Sequence, residues 1–240
     1  MRLSRRRVRA IVSKELREYR HNGNIIYAMA ILPLIFLVQP LVQVFAIPAQ
    51  ASGSLRHEHA LLYMLAIPVL VPATLASYSV VGERLQATLE PVLTTPVRRQ
   101  ELLLGKALAA FVPAVAVAYT IFALFVAVVE LFAAPGVAPA LIRGPDLLAQ
   151  LVFTPLLATW SIWVGIAISA RCSDPRTAGQ LAILASLPTV AVTSLIAFNV
   201  IPATLSVALA SGAALLILIR LGGRFASALF DRERLITSIK

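Results

Sequence analysis

The sequence predicts an all-α integral membrane protein with six transmembrane helices and both termini on the cytoplasmic side. Apolar residues make up 59% of the chain and charged residues only 13%. In a soluble domain about half of the residues are apolar and about a quarter are charged. The charges lie in a few blocks, and the apolar runs between them reach the roughly 20 residues that a helix needs to cross a bilayer. Basic residues are concentrated in every second segment between the apolar runs, so a chain that crosses the bilayer at each run places them on the same side of the membrane. We therefore expect one transmembrane domain over residues 1–240.

Six apolar runs have the length of a membrane span. They are Ile25 to about Ala49, Ala60 to Gly82, Ala107 to Ala133, Leu147 to Ala170, Gly179 to Val200, and Ala203 to Leu221. The last two are separated only by a predicted tight turn near Asn199–Pro202. A partial re-entrant segment at that turn stays open as an alternative.

Lysine and arginine residues predict the orientation, because segments rich in them remain in the cytoplasm. Of the 21 basic residues, 19 fall before the first span, between spans two and three, between spans four and five, or at the end of the sixth span and beyond it. The other three loops hold only Arg56 and Arg143. A six-span chain puts every basic segment on one side.

The net charge of +10 does not indicate nucleic-acid binding, because most basic residues flank apolar runs, where lipid headgroups attract them. Cys172 is the single cysteine, so neither an intrachain disulfide nor a cysteine-rich zinc site can form. His57 and His59 stand two apart in a short loop. They fit a solvated loop better than a surface metal site, and we predict no metal site.

The N-terminal segment predicts an amphipathic helix over residues 8–21 that lies along the membrane surface. Its apolar positions recur at helical spacing, with charges on the other side; the segment includes Val8, Ile11, Val12, Lys14, Glu15, Leu16 and Tyr19. The run Ser4 to Arg7 could instead begin a twin-arginine export signal. The apolar run after Asn24 is too long for a typical signal core, which favours the surface helix.

The loop over residues 83–106 predicts a helix, a break and a second helix. Leu85, Leu89 and Val92 form a short apolar face. Thr95 then suits an N-cap, with Pro96 at the first helical position, where its missing N–H costs nothing. We expect this second helix to continue into the third span, so that the loop is a structured elbow.

This elbow resembles a motif of the ABC-type-2 exporter permeases, of the form E-R-x-x-G-T-L-E-x-L-L-x-T-P-V-x-R-x-E-(three apolar)-G-K. The matching residues are Glu83-Arg84, Thr88-Leu89-Glu90, Leu93, Thr95-Pro96-Val97, Arg99, Glu101 and Gly105-Lys106. Lys14-Glu15-Leu16-Arg17-Glu18 is similar to that family's N-terminal helix. Ala87 departs from the usual glycine, which should stiffen the elbow.

The resemblance implies the membrane subunit of an ATP-driven exporter, paired with a second permease copy or a paralogue and docked on a cytoplasmic ABC ATPase dimer. ATP and Mg would bind to that partner. The surface helix and the elbow would be where the ATPase acts on the chain. The implied coupling residues are Glu83, Arg84, Glu90, Thr95, Pro96, Arg98, Arg99, Glu101 and Lys106. Membrane lipids are further expected partners. The alanine- and arginine-rich composition indicates a bacterium with a GC-rich genome, so we expect the chain in the bacterial plasma membrane.

The chain itself has no sign of a motor or an enzyme. A phosphate-binding loop reads G-x-x-x-x-G-K-[ST], but Gln100 and Ala107 occupy two of the required positions around Gly105-Lys106. No catalytic constellation is present in the sequence, so we expect no bound cofactor. An ion-coupled secondary carrier and a non-transporting assembly subunit remain the alternative functions.

Four positions inside the spans are candidates for the pathway or for helix packing. Glu130 is the one acidic residue within a run, close to the end of the third span, where it can reach water, so a boundary position fits better than a functional one. Ser161, Gly165 and Ser169 recur every four residues on the fourth span. Small residues at that spacing allow close helix packing, either within one subunit or between two.

Overall fold

The computed structural model describes residues 4–46, 59–85 and 98–229, and every regular element in these ranges is helical. In chain order the helices are α1 (Arg5–His21), α2 (Gly23–Ala46), α3 (Ala60–Tyr63), α4 (Ile67–Leu85), α5 (Arg99–Phe132), α6 (Val137–Leu141), α7 (Gly144–Ser169), α8 (Pro175–Ala197) and α9 (Leu205–Leu229). A short 3-10 turn, Met64–Ala66, joins α3 to α4.

Six stretches are long and apolar enough to cross a membrane, which confirms the predicted all-α fold with six spans. They are Ile25–Ala46, Leu61–Glu83, Gln100–Phe132, Gly144–Ser169, Pro175–Ala197 and Leu205–Leu229. The 3-10 turn lies inside the second of them, just before Pro68. A proline ring clashes with the carbonyl four residues earlier, here that of Met64, so the backbone cannot continue there as a regular α-helix.

The second span is the centre of the bundle. Nearly every residue of it is buried, whereas very few residues of the sixth span are. Helix α4 packs against α2, α5, α7 and α8, and most closely against α7. The core on this helix includes Ala73 and Ala76. Such small side chains let neighbouring helices approach closely.

The predicted start of the elbow's second helix is wrong. Arg98 has an extended backbone (φ −75°, ψ 144°) and α5 begins at Arg99, three residues after the expected position. The carboxylate of Glu101 accepts a hydrogen bond from the Arg98 backbone N–H (3.1 Å) and so caps the helix at this point. The helix then runs without a break into the third span, which begins before Ala107. Thr95 and Pro96 themselves lie outside the described residues.

The fifth span begins earlier than Gly179, because Asp174 caps α8. Its carboxylate accepts a hydrogen bond from the backbone N–H of Thr177 (2.9 Å), and Pro175 takes the first helical position. The hydrogen bond from Thr177 lowers the pKa of the exposed Asp174 carboxyl. The cap and the proline are both readable in the sequence.

The turn between the last two spans is tight, as predicted. Asn199 adopts a left-handed conformation (φ 56°), and the backbone N–H groups of Val200 and Ile201 donate to the carbonyl of Leu195. This is the arrangement of a helix C-terminus closed by a left-handed residue. Helix α9 then extends to Leu229, past the expected end at Leu221.

Candidate functional site

Helix α1 packs on the end of the bundle where α4 ends and α5 begins, which we call the charged end. Val8 and Tyr19 are buried, and Ile11 lies against Gly105 of α5. A Cβ atom added at Gly105 would lie 2.6 Å from Cγ2 of Ile11, closer than real contacts allow. Val12 and Leu16 are partly buried against the same core. The apolar side of α1 therefore packs on protein.

Lys106 is the centre of the charged end. This side chain on the second turn of α5 is completely buried. Its Nζ atom donates to Oε1 of Glu15 on α1 (2.7 Å) and to the backbone carbonyl of Ser79 on α4 (2.6 Å). It also lies 3.0 Å from Oε2 of Glu83, at the end of the second span. One ammonium group thus joins three helices.

A second lysine extends this arrangement toward the surface. The Nζ atom of Lys14 lies 2.7 Å from Oε1 of Glu83 and 3.2 Å from Oε1 of Glu18. Lys14 is half-buried, whereas Glu83 is buried. We name Lys14, Glu15, Glu83 and Lys106 the charge cluster. Its charges balance, and Glu18 adds a further negative charge at its edge.

Three pKa shifts on α1 follow from this setting. Desolvation raises the pKa of Glu15 and outweighs the opposite effect of Lys106. Partial burial acts to lower the pKa of Lys14, but the hydrogen bond to Glu83 and the surrounding carboxylates raise it overall. Burial, reinforced by the nearby carboxylates, also raises the pKa of Tyr19 well above its usual value. Helix α1 therefore holds groups whose pKa values depend on how this helix packs.

Glu101 makes a second connection between α1 and α5. Its Oε1 atom accepts a hydrogen bond from the backbone N–H of Ser4 (2.8 Å), just before α1. Its Oε2 atom accepts from the Arg98 backbone and lies 3.4 Å from the guanidinium of Arg7. A single buried carboxylate thus caps α5 and holds the start of α1.

Among the predicted coupling residues whose side chains the structure describes, three are buried and one is exposed. Glu83, Glu101 and Lys106 are buried and form ion pairs within the chain, while Arg98 is exposed where α5 begins. Arg84 and Arg99 lie in α4 and α5. Glu90, Thr95 and Pro96 lie outside the described residues, as do the other motif positions from Ala87 to Val97.

Sequence reasoning missed that Glu15 is a core residue. The predicted surface helix includes it without assigning it a side. Val8, Val12, Glu15 and Tyr19 follow one another at steps of four, three and four, which is the spacing of one helical face. A carboxylate in an apolar stripe needs a buried cation, and that signal was available in the sequence.

The small residues of the fourth span pack within the chain. Ser161 donates a hydrogen bond to the backbone carbonyl of Val69. A Cβ atom on Gly165 would lie 2.7 Å from that of Ala76. The hydroxyl of Ser169 accepts hydrogen bonds from the backbone N–H groups near the end of α4 (3.1 Å each). The stripe thus fixes α7 against the central helix.

A polar cluster at the other end of the bundle was not foreseen. His59 Nδ1 lies 2.8 Å from Oδ1 of buried Asp146, and Nη2 of Arg143 lies 3.1 Å from Oδ2 of the same carboxylate. His57 is outside the described residues. Within the described ranges no group of three metal-ligating side chains occurs. Glu130 is exposed near the end of α5, so the structure places it at the bundle surface.

This chain matches one family of known proteins. A family model described as ABC-2 family transporter protein matches residues 9–219. The match extends from α1 through most of α9, so it includes the charge cluster, the first five spans and more than half of the sixth. A comparison with curated proteins returns no match.

Proposed function

Because the chain belongs to the ABC-2 transporter family, we propose that it is the permease subunit of an ATP-driven exporter, with the charged end as its coupling site. As a member of this family it is a multi-pass membrane protein and a transporter component. The finer proposal is that a separate cytoplasmic ATPase, which carries ATP and Mg, docks at the charged end and drives export. The bacterial plasma membrane is the proposed location.

One observation supports this site above all others: Lys106 joins the surface helix, the central span and the third span through contacts of 2.6–3.0 Å. A force applied to α1 or to the elbow would reach α4 through buried, short-range contacts. Packed interiors transmit such displacements because they have few voids and resist compression.

The division of the predicted coupling residues suggests two roles. The buried residues Glu83, Glu101 and Lys106 would transmit movement. The docking contacts would come from Arg98, which is exposed, and from the elbow, including Glu90, Thr95 and Pro96, with Arg84 and Arg99 at its two ends. A second permease copy or a paralogue would complete the substrate pathway between two such bundles.

The test is retention of the ATPase by the purified chain. The chain is coexpressed with its ATPase subunit, and an affinity tag on the chain recovers the complex from detergent. We expect Glu90→Lys, and separately Arg98→Glu combined with Arg99→Glu, to lose the ATPase while the chain still inserts and remains monodisperse. Glu130→Lys is the matched control, because it makes the same charge change on an exposed residue near the other end of the bundle.

Each alternative function gives its own result. A secondary carrier would transport substrate in proteoliposomes along an ion gradient without any ATPase. An assembly subunit would hold the ATPase and yet show no transport coupled to ATP hydrolysis. Retention of an active ATPase by both elbow variants, with normal transport, would contradict the coupling site while leaving the family membership intact.

A further inference from the structure

A groove of about 520 Å³ lies between α1 and the first turns of α5. Its lining is Arg5, Val8, Arg9 and Val12 from α1, with Leu104, Leu108 and Val112 from α5. Apart from the two arginines, every lining side chain is apolar. The groove is separate from the charge cluster, whose residues do not line it.

The α5 side of the groove is an apolar track that follows the third span. Leu104, Leu108 and Val112 succeed one another every four residues, so they lie on one face of the helix. All three are exposed in the structure, at 36%, 36% and 54%. The track begins at the charged end and follows a helix of membrane-spanning length. An acyl chain in a bilayer runs in the same direction as such a helix.

The α1 side supplies two cations to the lining of the groove. Arg5 and Arg9 stand one helical turn apart and are both exposed. Among the residues that the structure describes, neither forms an ion pair or a side-chain hydrogen bond. Arg7, between them in sequence, is instead committed to Glu101. The described lining contains no acidic side chain to neutralise the pair.

We propose that this groove binds one anionic phospholipid. Its phosphate lies between the guanidinium groups of Arg5 and Arg9, and one acyl chain follows Leu104, Leu108 and Val112. Guanidinium groups pair with phosphate through charge-assisted hydrogen bonds, so the two arginines would bind the phosphate of the lipid headgroup. The apolar track requires a long apolar tail, which a free phosphate or a nucleotide lacks. The lipid would contact both α1 and α5 and so stabilise the packing of α1 on the bundle.

The test measures lipid binding to the full-length chain in detergent by native mass spectrometry. The probes are dioleoyl phosphatidylglycerol, dioleoyl phosphatidylcholine and glycerol 3-phosphate. A basic residue near the membrane surface contributes about 1 kcal/mol, so the affinity for phosphatidylglycerol should fall about fivefold for each arginine removed. The first variant is Arg5→Gln with Arg9→Gln. Its control is Arg6→Gln with Arg17→Gln, which removes two exposed charges of α1 that do not line the groove.

A third variant, Leu108→Trp, fills the track and keeps both arginines. We expect it to weaken phosphatidylglycerol binding severalfold, and we expect glycerol 3-phosphate not to compete for the site. The proposal is overturned if phosphatidylcholine binds the unaltered chain equally well, or if the control pair loses as much affinity as the groove pair. It is also overturned if Leu108→Trp binds the lipid normally. None of these results depends on transport, so they leave the proposed function untouched.

Discussion

The ammonium group of Lys106 lies 2.7 Å from the carboxylate of Glu15, although the two residues are 91 positions apart in the chain. Both side chains are buried, at 0% and 2% exposure. An ion pair removed from water persists only where both partners are held in good geometry. The contact therefore reports that α1 is packed as part of the bundle core.

Removing the buried lysine should destabilise the chain strongly. Lys106→Met keeps the length of the side chain but leaves Glu15 and Glu83 without their central cation. We expect a loss of about 3–5 kcal/mol in the free energy of unfolding, the usual cost of breaking a buried pair from one side. Thermal unfolding in detergent, followed by circular dichroism, measures it.

Lys14→Met is the matched control, because it is the same substitution in the same cluster at a half-exposed position. Its expected loss is about 1 kcal/mol or less. Adding Glu15→Gln to Lys106→Met should recover part of the stability, since it neutralises an uncompensated carboxylate. Equal losses for the two lysines would contradict the burial of Lys106.

The stability of the chain should depend on pH through Glu15. Its pKa in the folded chain is raised above the ordinary value of 4.5, chiefly by desolvation, so the folded state binds this proton more tightly than the unfolded state. The stabilisation is complete below the unfolded pKa and is lost as the pH rises through the folded pKa. Compared with Glu15→Gln, the unaltered protein should lose unfolding temperature as the pH rises above about 4.5, the ordinary pKa of the carboxyl. If the unaltered protein instead gained unfolding temperature relative to Glu15→Gln as the pH rises, the pKa of Glu15 would be lowered in the folded chain and the prediction would be wrong.

Close packing between the second and fourth spans should make Gly165 intolerant of any side chain. A Cβ atom there would lie 2.7 Å from Cβ of Ala76 and 2.9 Å from the backbone oxygen of Ala73. We expect Gly165→Ala to cost about 1–3 kcal/mol, as overpacking usually does. Gly212→Ala is the control, because nothing lies within 4 Å of its added Cβ. The unfolding temperatures of the two variants decide the matter, and equal values would refute the close approach.

The sequence by itself determined the six spans and their order. The hydrocarbon core requires about 20 apolar residues, a property of each local window, so predicted and observed spans differ by only a few residues at most ends. The start of α8 was also readable from the neighbouring residues Asp174 and Pro175, although the predicted span began at Gly179. The family resemblance drawn from the elbow was also confirmed, because its motif is contiguous in the chain.

Only the tertiary structure decided which charges are buried and which helix is central. Lys106 looks like one more basic residue beside a span until α1 brings Glu15 within 2.7 Å of it. The start of α5 at Arg99 likewise depends on Glu101, whose other oxygen is held by Ser4. These outcomes rest on contacts between distant parts of the chain. Whether a charge is stabilised in the interior depends on the partner that folding supplies, and no local window contains that partner.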